Sequence, residues 1–224
     1  MTTLSSSRNP LVRWDWVTNE WDQIQEALLQ HLQLTLLSVF YGTIISAFLA
    51  AIALRFHWAM TPVTATTGFL YTIPSVALFG LLVPYTGLNA RTAIIALTSY
   101  TLLIIVTNTV AGFRSVPASV LEAANGMGLS PRRRVLTVEL PLALPYIITG
   151  IRIATVTTVG LVTIAAIIGQ GGLGRLILDG LQRTFWTPMV VGAVLSVIMA
   201  LALDLLIYGA GVVATPWARR ARVR

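Results

Sequence analysis

The sequence predicts an all-α membrane protein whose chain crosses a bilayer about five times. Hydrophobic residues make up 56% of the 224 residues and charged residues only 10%, whereas soluble domains carry about 25% charged residues. The mean hydropathy is +0.80. Several apolar runs are long enough to cross a hydrocarbon core, which needs about 20 helical residues. These runs must be helices, because lipid offers the backbone no hydrogen-bond partner.

Five apolar runs are predicted as membrane spans, and they lie at 27–54, 60–84, 90–112, 143–168 and 188–213. We expect one transmembrane domain over 27–213, an extracytoplasmic or interfacial segment over 1–26, and a basic tail over 214–224. Three tryptophans of the first segment favour a stretch that lies along the membrane surface, because tryptophan is enriched at interfaces. A disordered tail with incidental tryptophans is the alternative. These residues are Trp14, Trp16 and Trp21.

Charge and residue usage exclude several kinds of protein. The net charge is +7 and every basic residue is an arginine, but the arginines lie between or after apolar runs, so we expect no nucleic-acid partner. The absence of cysteine excludes disulfides, thiol nucleophiles and cysteine metal sites. His31 and His57 lie at opposite ends of one predicted span. They therefore predict interfacial positions and no metal site.

The arginine distribution predicts the orientation of the chain. If the loop around Glu122 is cytoplasmic, the inner segments hold nine arginines and the outer segments five. Arginine and lysine accumulate in cytoplasmic loops. We therefore expect a multi-pass bacterial plasma-membrane protein in contact with lipid, with its N-terminus outside and its C-terminus in the cytoplasm.

Polar and proline residues inside the second and third spans are candidates for a transport pathway. Pro74 removes a backbone donor and bends the second span. Its bend either lines a path or is only a tolerated kink. Tyr71 and Tyr100 are aromatic residues at mid-membrane depth, and quaternary ammonium ions favour aromatic faces. Core packing is the alternative for both.

Arg152 and Asp204 are the two charges that fall inside predicted spans. Charges in that medium are costly, and they are usually paired or functional. Each lies roughly 14 Å from the inner edge at 1.5 Å per helical residue. We expect the two to pair or to meet polar groups at the inner mouth; alternatively, Arg152 reaches the inner surface by itself.

The longest polar stretch between apolar runs is 122–141, which predicts two short helices joined by a glycine turn. Gly126 and Gly128 favour a helix end. Ser130-Pro131 favours a second helix start, and Pro141 stops that helix or kinks the next. Arg132, Arg133 and Arg134 follow Pro131 and are interpreted mainly as topology signals, with contact to a partner as the alternative.

This stretch resembles a loop of the membrane subunits of bacterial ABC importers, which reads E-A-A-x3-G-x9-[IV]-x-L-P. The sequence fills every position, with Val138 at the Ile/Val place. The resemblance implies a type I-like importer fold and a coupling helix that docks on a separate cytoplasmic ATPase. An ordinary basic cytoplasmic loop is the alternative. The coupling residues so implied are Glu122, Ala123, Ala124, Gly128, Leu140 and Pro141.

Two further runs are similar to the osmoprotectant subfamily of these permeases, which imports glycine betaine, carnitine, choline or related quaternary amines. They are Tyr71-Thr72-Ile73-Pro74-Ser75 and Gly169-Gln170-Gly171-Gly172-Leu173-Gly174. The second run is expected to form a flexible turn before a short external helix. In the family this region lies under the docked binding protein, which makes Gly171 and Gly172 gate candidates.

The resemblance implies a transport subunit rather than an enzyme. Its expected partners are ATPase subunits that carry ATP and magnesium, a second permease subunit, identical or paralogous, and an extracytoplasmic solute-binding protein. No cofactor is expected in this chain. The alternatives are a permease for another small solute such as methionine, a channel or structural subunit without an ATPase, and an intramembrane enzyme. Asp204 as the one acid inside a span speaks against the enzyme.

Overall fold

A computed structural model describes residues 11–217. Parts of the expected end segments, 1–10 and 218–224, lie outside the described residues. Within 11–217 all regular structure is helical, as the sequence predicts. The helices are α1 (Trp14–Asn19), α2 (Trp21–Arg55), α3 (Met60–Thr72), α4 (Ser75–Thr86), α5 (Ala90–Arg114), α6 (Ala118–Gly126), α7 (Pro131–Arg134), α8 (Leu140–Ile164), α9 (Leu173–Gln182) and α10 (Trp186–Ala214).

Four helical stretches are long and apolar enough to cross a membrane. They are α2, α5, the stretch Pro131–Ile168 that contains α7 and α8, and α10. A short π-helical segment, Val135–Glu139, joins α7 to α8, and a 3₁₀ turn, Ala165–Ile168, extends α8. The number of expected spans, about five, is reached when the bent pair of α3 and α4 counts as one.

The second expected span is broken, so a single kinked helix over 60–84 is the wrong description. Helix α3 and its preceding 3₁₀ turn meet α4 at an angle of 97°. The physical cause lies at Pro74, which has no N–H to continue the helix. A residue that precedes proline is also driven out of the helical region, and Ile73 has φ −66° and ψ 127°. Helix α3 therefore ends at Thr72.

Helix α5 is the centre of the bundle, with α2 and α8 packed along it and the broken pair on another side. Two glycines allow α5 and α8 to approach closely. A Cβ on Gly112 would lie 2.8 Å from the Ala143 carbonyl oxygen, and one on Gly150 would lie 2.7 Å from Cβ of Asn108. Small residues serve this purpose in membrane bundles, where helix packing relies on close backbone approach.

His31 is fully buried, so the expectation of an interfacial position is wrong for it. Helix α2 already begins at Trp21, which places His31 inside the span and facing the bundle. Its Nε2 lies 3.1 Å from the Val159 carbonyl oxygen. Since a carbonyl only accepts, Nε2 carries the proton in this contact. His57 is exposed, as expected.

The glycine run before α9 is closely packed, which contradicts the expected flexible turn. Gly171 and Gly172 are both buried. Gly172 has φ +49°, and a Cβ there would lie 2.6 Å from the Ala27 carbonyl oxygen. Its N–H donates to Oε1 of Gln30 at 3.0 Å. The expected short helix follows as α9.

The first described segment contains α1 and folds against the start of α10. The Trp16 ring meets Phe185 edge-on at 5.8 Å between centroids. The Arg13 guanidinium donates to Asp15 at 2.8 Å, which lowers the pKa of that carboxyl. Trp14 and Trp21 are exposed, which suits tryptophans at a membrane interface.

Candidate functional site

The end of α6 explains two positions of the loop pattern. The Leu129 N–H donates to the Ala124 carbonyl at 3.2 Å, and the Gly128 N–H donates to the Asn125 carbonyl at 2.9 Å. This pair of bonds is a Schellman cap, which needs a left-handed residue at its turn. Gly128 occupies that place with φ +73°. Ala124 is buried under the same turn, with 1% of its surface exposed, so a larger side chain has no room there.

The outer face of α6 is free for a partner. Glu122 and Ala123 are exposed, and Met127 at the end of the helix is 72% exposed. A Cβ at Gly126 would meet nothing within 4 Å. The helix therefore presents one acid beside a small apolar surface, and it buries only the opposite side.

Arg134 connects the two halves of the loop. Its Nε donates to Oε1 of Glu139 at 2.7 Å, and its Nη1 donates to Oδ1 of Asn125 at 2.9 Å. The guanidinium therefore ties α6 to the segment that leads into α8. The interpretation of Arg134 as a topology signal misses this role, whereas Arg132 and Arg133 are exposed.

The π-helical segment Val135–Glu139 is the reason why sequence periodicity missed the pair. An α-helix brings residues three and four apart to one face, but Arg134 and Glu139 are five apart. A π-helix bonds residue i to i+5, so this spacing suits the observed conformation. The remaining predicted loop residues, Leu140 and Pro141, are half-buried in the first turn of α8.

Arg152 and Asp204 form the expected pair between α8 and α10. Nε of Arg152 donates to Oδ1 of Asp204 at 2.8 Å, and Nη2 donates to Oδ2 at 2.6 Å. The guanidinium also lies 4.8 Å from the ring centroid of Tyr208. Two parallel charge-assisted bonds are the strongest arrangement open to this pair. The alternative in which Arg152 reaches the inner surface by itself does not hold.

Tyr71, Pro74 and Tyr100 meet at the break between α3 and α4. The two tyrosine rings are 6.1 Å apart and cross at 72°. The hydroxyl of Tyr100 donates to the Ile73 carbonyl at 2.5 Å. Tyr100 is buried, while Tyr71 is 39% exposed. The two candidates thus differ: Tyr100 supports the break, and Tyr71 has an accessible ring.

The structure separates the loop candidates from the glycine candidates. The loop lies at the Pro131 end of the long helical stretch, and Gly171 and Gly172 follow its other end at Ile168. At 1.5 Å per residue this stretch is roughly 55 Å long. Any coupling between the two groups would therefore act over about the length of this stretch. Within 11–217, no group of His, Cys, Asp and Glu residues is arranged so that it could hold a metal ion.

The described residues form a bundle of continuous spans and one broken pair, with an exposed helix in the loop before α8. Residues 34–210 match the family described as the binding-protein-dependent transport system inner membrane component. The chain belongs to this family. It is therefore a transport subunit and not an enzyme.

Curated relatives place the chain more narrowly. It is 40% identical over 192 residues to the osmoprotectant import permease protein OsmW of Salmonella typhimurium, which covers 84% of this chain and 89% of the relative. It is 34% identical over 175 residues to the glycine betaine/carnitine/choline transport system permease protein OpuCB of Bacillus subtilis, covering 78% and 81%.

A solved structure shares the fold. The inward-facing MetNI methionine ABC transporter superposes with a TM-score of 0.75 at 22% identity, covering 88% of this chain and 98% of the other. At that identity the match shows the architecture alone. The predicted type I-like importer fold is thereby confirmed.

Proposed function

We propose that this chain forms one half of the translocation path of an ATP-driven importer for a small osmoprotectant such as glycine betaine, choline or carnitine. The relatives named for osmoprotectant, glycine betaine, carnitine and choline transport support this cargo. The methionine transporter shares the fold at lower identity, so methionine is the weaker candidate.

The observation that carries the coupling role is the geometry of α6. Glu122, Ala123 and Met127 are exposed on one side, while Ala124, Gly128 and the Arg134 bridge hold the helix on the other. A rigid projection with an apolar surface and one acid suits insertion into a groove of an ATPase. Leu140 and Pro141 then carry the movement into α8.

The complete transporter needs chains besides this one. Two ATPases bind ATP and magnesium, a second permease, identical or paralogous, closes the path, and an extracytoplasmic binding protein delivers the solute. This arrangement requires α6 to be cytoplasmic, the N-terminus outside and the C-terminus inside. ATP binding closes the ATPases, the α6 helices move with them, and the path changes the side to which it opens.

Co-purification tests the coupling role. A tagged chain is extracted from its native membrane in mild detergent, and bound proteins are identified by mass spectrometry. We expect an ATP-binding subunit with the native chain and its loss from Glu122→Arg, because the reversed charge would lie in the docking surface. Asp22→Arg makes the same charge change on an exposed residue at the start of α2 and is expected to retain the ATPase.

Uptake tests the cargo. The purified complex is reconstituted in vesicles with its binding protein and supplied with ATP, and labelled glycine betaine, choline and methionine are compared. Uptake of a quaternary amine supports the proposal. Uptake of methionine alone refutes the cargo, and the absence of an ATPase partner for the native loop favours a channel or structural subunit.

A further inference from the structure

The break between α3 and α4 lies at mid-membrane depth. Tyr100 bonds to the Ile73 carbonyl, and Tyr100 lies near the middle of α5 (Ala90–Arg114). At 1.5 Å per residue it is roughly 15 Å from the start of that helix. The discontinuity is therefore far from both membrane surfaces.

A break at this depth leaves backbone groups without helical partners. Pro74 has no N–H for the Leu70 carbonyl, four residues before it. The first bond of α4 runs from the Leu78 N–H to the Pro74 carbonyl, so the N–H groups that precede Leu78 in α4 have no acceptor within the helix. Tyr100 and Thr72 satisfy two of the carbonyls at the break, those of Ile73 and Phe69.

One side of the break is open. Helix α5 packs against α3 and α4 on one side, but Tyr71, Thr72, Pro74 and Val76 are exposed on the other. Irregular backbone at membrane depth is tolerated only where protein covers it or water reaches it, because lipid satisfies none of its polar groups. This face of the subunit is therefore unsuited to lipid.

We infer that this open face lines the water-filled translocation path, and that Tyr71 presents its ring there to the quaternary ammonium group of the cargo. This inference rests on the proposed osmoprotectant function. An aromatic face attracts an ammonium cation through its quadrupole, most strongly where water is scarce. The edge-on contact with Tyr100 fixes the orientation of the Tyr71 ring and leaves the exposed part of it free.

The absence of cysteine from the chain makes the water exposure directly measurable. Thr72→Cys is introduced into the complete complex in lipid nanodiscs and treated with a water-soluble thiosulfonate reagent that carries a trimethylammonium group. A thiol reacts as its thiolate, which requires water. Ile44→Cys is the matched control, because Ile44 is 52% exposed on the continuous helix α2.

We expect the Thr72→Cys variant to react at least tenfold faster than the Ile44→Cys variant. Choline at saturating concentration is expected to slow that reaction several-fold. Adding Tyr71→Leu is expected to abolish the protection, whereas Tyr71→Phe, which retains an aromatic ring, is expected to preserve it. These four readings together support the inference.

Different failures have different meanings. A complex that still takes up solute but does not react at Thr72→Cys shows that a second subunit covers the break, and this result overturns the pathway. Rapid reaction without protection by choline, in a complex that transports choline, overturns the role of Tyr71. A complex that transports no quaternary amine refutes the proposed cargo and the role of Tyr71 with it, while rapid labelling still supports the pathway.

Discussion

Of the three arginine–carboxylate pairs among residues 11–217, one closes the loop and another joins two spans. Arg134 and Glu139 approach to 2.7 Å, and Arg152 and Asp204 approach to 2.6 Å. Their chemistry is the same and both are part-buried, but the first pair joins residues five positions apart in the loop and the second joins residues 52 positions apart on two membrane-spanning helices. The surroundings of each pair, rather than its contact distance, determine how much it contributes to stability, because the cost of an unpaired charge depends on the solvent around it.

The largest expected effect follows from breaking the transmembrane pair. Asp204→Asn leaves Arg152 without a counter-charge, and we expect a loss of about 3 kcal/mol in the free energy of unfolding. Heat unfolding in detergent, followed by tryptophan fluorescence, measures it. Removing both charges, with Arg152→Gln and Asp204→Asn together, is expected to recover most of the loss. Additive effects of the two single changes would contradict the pairing.

Breaking the loop pair is expected to lower stability less than breaking the transmembrane pair does. It is expected to weaken the coupling of ATP hydrolysis to uptake more. Arg134→Met removes the bonds to Glu139 and Asn125, and we expect a loss of about 1 kcal/mol, since water reaches this part-buried pair and replaces some of the lost bonds. ATP-driven uptake is expected to fall several-fold because α6 is no longer fixed relative to α8. Arg132→Met, a change at an exposed neighbour, serves as the control. Equal loss of uptake in both variants would show that charge alone matters.

The smallest expected effect is the response to salt. Raising the ionic strength from 0.15 to 1 M shortens the screening length from about 8 to 3 Å. The stability difference between the native chain and Arg134→Met is expected to shrink by a few tenths of a kcal/mol, because salt screens this part-buried pair in the loop. The penalty of Asp204→Asn is expected to stay unchanged in the same unfolding assay. A transmembrane penalty that shrinks equally would mean that water surrounds that pair.

The two pairs also differ in whether the sequence predicts them. Charges in an apolar span are rare, so the sequence alone predicts that Arg152 and Asp204 pair. The number of spans follows from composition. The resemblance to the importer loop singles out Ala124 and Gly128, and Gly128 is also favoured at a helix end by its residue type. In each case the signal lies in residue type or close spacing, which a single sequence displays.

Other features depend on contacts that the sequence patterns do not reveal. The Arg134–Glu139 spacing matches a π-helix and escapes an α-helical search. His31 looks interfacial until the start of α2 at Trp21 is known. Pro74 predicts a bend, but neither the 97° angle nor the bond from Tyr100, on another helix, to the Ile73 carbonyl follows from the local sequence.

The π-helical segment Val135–Glu139 has a consequence for how the loop and the bundle are joined. A π turn holds one residue more than an α turn, and each α-helical residue turns the chain by about 100°. The extra residue is therefore absorbed in the wide turn, and the helix on its Pro131 side stays in phase with α8 instead of being rotated by about 100°. The direction in which α6 projects from the bundle thus depends on this turn, because the same residue inserted into regular α-helical winding would turn the exposed face of α6 to another side of α8.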